Sequence, residues 1–92
     1  MKKIIQRTRR FEKSFGKLNM KTQKLFIKKL GIFIDDEYFP SLKTHKLKGK
    51  RQNEYAFSVT DDIRAIYEKF TQKQQEILIF KFVDIGGHSK VY

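Results

Sequence analysis

Ile77-Leu78-Ile79-Phe80-Lys81-Phe82-Val83 is nearly all apolar, and it has the length of a strand. A run of this kind reads as a central strand covered on both faces. The residues before it set its partners. Thr71 to Gln75 form a polar turn. Ile63-Arg64-Ala65-Ile66-Tyr67 is a second strand, which Phe70 extends. Thr60-Asp61-Asp62 is a turn. Before it Tyr55, Phe57 and Val59 alternate with Ala56, Ser58 and Thr60, the period of a half-buried strand. The C-terminal part is therefore an antiparallel meander. Gly86-Gly87 is expected to break its last strand, ahead of His88-Ser89-Lys90-Val91-Tyr92.

Toward the N-terminus the period becomes helical. Phe11, Phe15 and Leu18 fall on one helical face after Thr8, a residue suited to an N-cap. Asn19 suits the next cap, and Phe26, Leu30 and Phe33 share the following face, widened by Ile27 and Ile34. Lys21, Lys24, Lys28 and Lys29 lie mostly on the other side. Asp35-Asp36-Glu37 and Pro40 end this helix. Residues 3–7 are a short strand, placed most simply at an edge of the meander or beside its last strand. Residues 38–53 are an irregular basic stretch. The element order is β-α-α-β-β-β, an α+β domain over residues 1–92 with a helical hairpin packed on a small, mainly antiparallel sheet.

The chain has 92 residues, enough for one modest core. It carries 21 Lys and Arg against 10 Asp and Glu, a formal charge of +11. The charge is unevenly placed. Residues 1–53 hold 16 basic and 4 acidic side chains, whereas residues 54–92 hold 5 and 6. A net +12 on the helical hairpin and basic loop argues for an anionic partner, either nucleic acid or an acidic protein. There is no cysteine, which excludes disulfide scaffolds, thiol nucleophiles and Cys-ligated metals. No apolar run is long enough to span a membrane. No leader pattern is visible, so the expectation is a soluble cytoplasmic protein without membrane contact.

No metal motif appears. His45, His88 and Asp84 could in principle share a metal, but their spacing does not support it, and no cofactor is expected. Gly86-Gly87 follows a strand without opening a helix, so it is not a phosphate loop. What remains is His45, Lys48, Lys50, Arg51, Arg64, His88, Lys90 and Tyr92. RNA cleavage by side chains needs a base for the 2′-hydroxyl, a cation for the developing phosphorane and an acid for the leaving oxygen. Histidine suits the proton transfers, arginine the phosphate, and an aromatic ring an unstacked base. Arg64 alternates with Ile63 and Ala65, so it shares a strand face with Ile66 and Glu68. It either faces a cleft or pairs with Glu54 or Glu68 on a solvated face.

Three pieces in order resemble the RelE/ParE superfamily of toxin–antitoxin toxins, and within it the YafQ-like mRNA interferases. His45-Lys46-Leu47-Lys48-Gly49 matches the family's His-x-Leu-x-Gly. Asp62-Ile63-Arg64-Ala65-Ile66-Tyr67 stands where the family has an Asp or Arg leading into an Ile-Tyr or Val-Tyr strand. Gly86-Gly87-His88-Ser89-Lys90-Val91-Tyr92 matches the closing Gly-x-His-x-x-aromatic. The resemblance implies a RelE/ParE-like fold and metal-independent cleavage of mRNA on the 70S ribosome, in contact with mRNA and with 16S and 23S ribosomal RNA. It also implies a cognate antitoxin, acidic and partly disordered until bound. It implies functional roles for His45, Asp62, His88 and Tyr92, and in RelE-like members for Arg64. Lys46, Lys48, Lys50, Arg51 and Lys90 would contact RNA. The second histidine of YafQ-like members corresponds here to Ser58, and its preceding Asp to Ala56. The catalytic set is thus a hybrid, and which residue acts as base stays open. Two other functions fit the same charge: a ParE-like poison of DNA gyrase, and a non-catalytic basic RNA-binding module.

Overall fold

A computed structural model describes residues 1–49 and 53–87. Strand β1 spans Lys2–Arg7, helix α1 Arg9–Gly16 and helix α2 Met20–Asp35. Strands β2 (His45–Lys46), β3 (Glu54–Ser58), β4 (Ile63–Gln72) and β5 (Ile77–Gly87) complete the domain. They form one five-stranded sheet in the order β1-β5-β4-β3-β2. Strand β1 runs parallel to β5 and the other pairs are antiparallel. The expected α+β architecture holds. The first strand lies both at an edge and beside the last strand.

The helices begin where the caps place them. The Thr8 side chain accepts from the Phe11 amide at 3.1 Å, and Asn19 accepts from Thr22 at 2.8 Å. Thr8 does more than cap. Its amide donates to the Phe82 carbonyl at 3.0 Å and its hydroxyl to the Val83 carbonyl at 3.3 Å, which fixes the entry of α1 against β5. Thr8→Ala is expected to lower stability by about 1 kcal/mol, a fall in Tm of about 5 °C, measurable by thermal unfolding.

The core is a cluster of rings between the helices and one sheet face. Phe11, Phe26, Phe33, Phe57, Tyr67, Phe80 and Phe82 are all at most 3% exposed. Phe33 is the hub: its ring centroid lies 4.7 Å from Phe80, 4.9 Å from Tyr67 and 5.0 Å from Phe57. A second, smaller cluster of Ala56 and Ile66, with Leu47 and Val83, occupies the face away from the helices.

Five local expectations change. Gly86-Gly87 does not end β5. The ladder to β4 continues through Arg64↔Gly86 and Ile63↔Gly87, so backbone pairing outweighs the conformational freedom of glycine. Part of the stretch read as irregular is ordered: Pro40–Leu42 form a 3-10 turn, and His45-Lys46 pair with β3. The polar turn starts later than expected, because β4 runs to Gln72 and Lys73–Gln75 form a 3-10 turn. Ile27 and Ile34 do not widen the buried face. They are 58% and 37% exposed, because each sits about 80–100° around the helix from the Phe26–Phe33 stripe. Both helices also lie on one side of the sheet, so Ile79, Lys81 and Val83 of β5 are only half covered.

Candidate anion-binding site

The β3–β4 turn is built by Thr60. Its hydroxyl accepts from the Ile63 amide at 2.9 Å and the Asp62 amide at 3.2 Å, while Val59 N donates to the Ile63 carbonyl at 2.8 Å. This tight return brings Arg64 opposite the buried Ser58 on β3 and Gly86 on β5. The Arg64 guanidinium is anchored at one end only. Its Nη1 donates to the Thr60 carbonyl at 2.8 Å and lies 3.4 Å from the Ile63 carbonyl. Among the described residues its hydrogen bonds go to carbonyls and not to Glu54 or Glu68. The pairing on a solvated face is therefore not the arrangement the chain adopts.

Arg64 opens onto a cleft of about 190 Å³. Lys29 of α2, Ser41 and Lys43 of the α2–β2 connection, and Ser58, Thr60 and Asp61 line it with Arg64. The cleft is thus lined by three basic residues, one acidic residue and three hydroxyl-bearing residues. Arg64 is the one residue of this cleft that the sequence singled out; Lys29, Ser41, Lys43 and Thr60 come to it only in the fold. Lys29 looked like one more lysine on the hydrophilic side of α2, and only the path of the connection distinguishes it from Lys28.

His45 sits on β2 opposite Ala56 and is exposed. Its Nδ1 lies 3.1 Å from the Lys43 carbonyl. A carbonyl can only accept, so Nδ1 carries the proton and the lone pair of the neutral ring resides on Nε2. The register puts His45 on the same sheet face as Ser58 and Arg64, two strands and two residues away, about 12 Å between Cα atoms. Lys46 and Lys48 flank His45 along a shallow groove with Leu47. Asp62 lies at the end of β5. A Cβ placed on Gly87 would stand 3.0 Å from the Asp62 Oδ2, so the carboxylate packs over the residue that precedes His88. His88, Lys90 and Tyr92, with Lys50 and Arg51, lie outside the described residues.

Asp84 is not near His45. It is 5% exposed, accepts from Ser14 Oγ at 2.7 Å and from the Ile85 amide at 2.9 Å, and pairs with Arg10 at 3.1 Å. Three strand spacings, about 14 Å, separate its strand from that of His45. A metal shared by these two is not supported by their placement. Asp84 instead anchors α1 to β5 where Val83 bulges out of the ladder, between Ile66↔Asp84 and Tyr67↔Phe82.

The connection that carries Lys43 and His45 is tied down by Glu37. Its carbonyl accepts from Thr44 Oγ1 at 2.6 Å. Its carboxylate accepts from Tyr67 Oη at 2.6 Å and from Lys69 Nζ at 3.1 Å. The Lys69 ammonium also lies 4.7 Å from the Tyr55 ring centroid and 5.4 Å from that of Tyr38. Burial, then the hydrogen bond and charge of Glu37, push the Tyr67 phenol above its ordinary 10.0. Burial opposes the charge on Lys69, but the Glu37 hydrogen bond and charge overcome it, and its pKa is raised. Both folded groups hold their protons beyond the pH at which the unfolded chain loses them. The stability these two groups contribute is therefore present below about pH 10 and is lost as the pH rises above it. Urea unfolding at pH 9, 10 and 11 checks this. Tyr67→Phe should make the loss shallower.

No family model matches the sequence, and no curated protein matches it. Solved structures do match it. A YoeB/ParE toxin from Agrobacterium tumefaciens superimposes with a TM-score of 0.72 at 12% identity, covering 96% of this chain and 99% of that one. The chain has the fold of these toxins. The DinJ–YafQ toxin–antitoxin complex from E. coli gives a TM-score of 0.69 at 19% identity, over 100% of this chain and 99% of that chain. A metal-bound toxin from Helicobacter pylori gives 0.67 at 23% identity, over 97% and 98%. Among the described residues of this chain no group of three His, Cys, Asp or Glu is arranged to hold a metal ion. Among the described residues no helix is long and apolar enough to cross a membrane.

Proposed function

We propose that this chain is the toxin of a toxin–antitoxin pair and acts as a ribosome-dependent endoribonuclease on mRNA, halting translation until a cognate antitoxin covers it. The observation that carries the reading is the placement of Arg64. It lines a cationic cleft beside the β3–β4 turn, and its register places it on the same sheet face as His45, in a fold shared with solved toxins. In the proposed reaction a base removes the 2′-hydroxyl proton and the 2′ oxygen attacks phosphorus. The phosphorus–5′-oxygen bond then breaks, and an acid protonates the leaving oxygen. His45 and His88 are assigned the two proton transfers and Arg64 the phosphate. Asp62, packed over Gly87, would orient the segment carrying His88, and Tyr92 would stack on the substrate. Lys46, Lys48, Lys50, Arg51 and Lys90 would contact RNA backbone.

The antitoxin is proposed as an acidic segment that orders on binding, matched to the net +12 of residues 1–53. The working place is the cytoplasm, where the ribosome is the target. The test is cleavage of a translated reporter mRNA in a purified translation system. His88→Ala should cut at least 100-fold more slowly than wild type, as loss of a general acid or base predicts. Equal cutting by the variant would remove His88 from the mechanism. Growth arrest accompanied by lost DNA supercoiling and intact mRNA would replace the nuclease reading with gyrase poisoning.

A further inference from the structure

We propose that Lys29 and Lys43 are phosphate-contacting residues that, with Arg64, turn the cleft beside the β3–β4 turn into a site for the doubly charged phosphorane of RNA cleavage. The inference rests on the nuclease reading above. Its first support is convergence. The three cations come from three separate parts of the chain: a helix, a connection and a strand. A solvated lysine face would spread its charges apart, whereas these line one cleft with Ser41 and the buried Ser58.

The second support is charge. Three cations against Asp61 leave the cleft at a net +2. A phosphodiester carries one negative charge. Attack by a deprotonated 2′ oxygen brings a second charge to the phosphorus group before the 5′ oxygen leaves. A cleft at +2 therefore favours the transition state over the ground state, which is the condition for lowering the barrier.

The third support is the backbone at Lys43. Its φ of 51° is left-handed, at the C-cap of the 3-10 turn, where glycine is the usual and cheaper residue. The chain keeps a lysine there. Lys43 lines the cleft while its carbonyl meets the Nδ1 of His45, so one residue links the cationic cleft to the proton-transfer group.

The strain makes a clean test. Lys43→Gly removes the cation, keeps the carbonyl and relieves the left-handed conformation, so its Tm should equal or exceed that of wild type. Lys29→Met keeps the apolar stem. The full chain and the double variant are compared in two assays. The first titrates inorganic phosphate at pH 8 and follows the amide signals of Thr60 and Asp61. The wild type should bind, and the double variant at least about 10-fold more weakly. The second measures mRNA cleavage on ribosomes, where kcat should fall about 100-fold with KM little changed.

Unaltered phosphate binding in the double variant overturns the proposal. So does a raised KM at constant kcat, which would make these lysines docking residues for the RNA chain. A 2′-O-methyl RNA oligonucleotide separates backbone phosphate from free phosphate as the occupant. If only free phosphate competes at the cleft, the assignment to RNA fails. Wild type that binds phosphate through these lysines yet cuts no RNA would sink the nuclease reading and leave the anion site standing.

Discussion

Phe33→Ala is expected to destabilise the fold by about 4 kcal/mol, the largest effect of any single truncation in this chain. Phe33 is fully buried, and rings from β3, β4 and β5 surround it. The helix cannot move in to fill the gap. Its ends are fixed by the Asn19 cap and, just beyond its last turn, by Glu37 bonded to Tyr67 and Lys69. The cavity would therefore persist, and the cost includes lost ring contacts as well as lost burial. A domain of this size holds on the order of 5–10 kcal/mol in total, so the variant should be marginal at 37 °C. Denaturant unfolding measures it. Phe33→Leu, which keeps most of the volume, should cost less than half as much. Equal losses for the two would mean that the aromatic geometry, and not the filled space, carries the stability.

On the proposed nuclease reading, Arg64→Met is expected to cut mRNA cleavage at least about 100-fold with Tm unchanged within a few degrees. The stability part follows from the partners. Arg64 is half-exposed and gives its hydrogen bonds to the Thr60 and Ile63 carbonyls, within a turn already held by the Thr60 hydroxyl. The activity part follows from what the guanidinium adds beyond that anchoring. With Nη1 held at one end, the planar fork presents its other donors in a fixed direction. Lysine cannot reproduce this, so Arg64→Lys should recover little activity although it restores the charge. Full recovery by lysine would mean that the cleft uses Arg64 only as a point charge. Single-turnover cleavage on stalled ribosomes distinguishes the two.

Much of the architecture could be read in the chain because local and global signals agree. Thr8 and Asn19 are caps in the sequence and in the fold, and the Phe11–Phe15–Leu18 spacing packs against the core as read. The misplaced features share a cause: they depend on what lies opposite. Gly86-Gly87 reads as a breaker until β4 is placed beside it. His45-Lys46 reads as loop until β3 supplies a partner. The site follows the same rule. Arg64 was legible because an arginine inside an apolar strand demands an explanation. Lys29 and Lys43 carry no such mark, since a lysine on a helix face or in a basic loop is unremarkable until two distant segments meet. The motif residues His88 and Tyr92 rest on the sequence resemblance alone.

The pairing of β1 with β5 joins residues 75 positions apart, from Lys2↔Ile77 to Arg7↔Phe82. The partner of the first strand is thus the last strand described. A ribosome making this protein releases β1, α1 and α2 well before the strand on which α1 packs exists. The ring cluster is completed only when Phe80 and Phe82 arrive with β5. Contacts of such long sequence separation make folding slow and all-or-none. The parallel pairing that sets β1 beside β5, and the ring cluster that Phe80 and Phe82 complete, can therefore form only after β5 has been made.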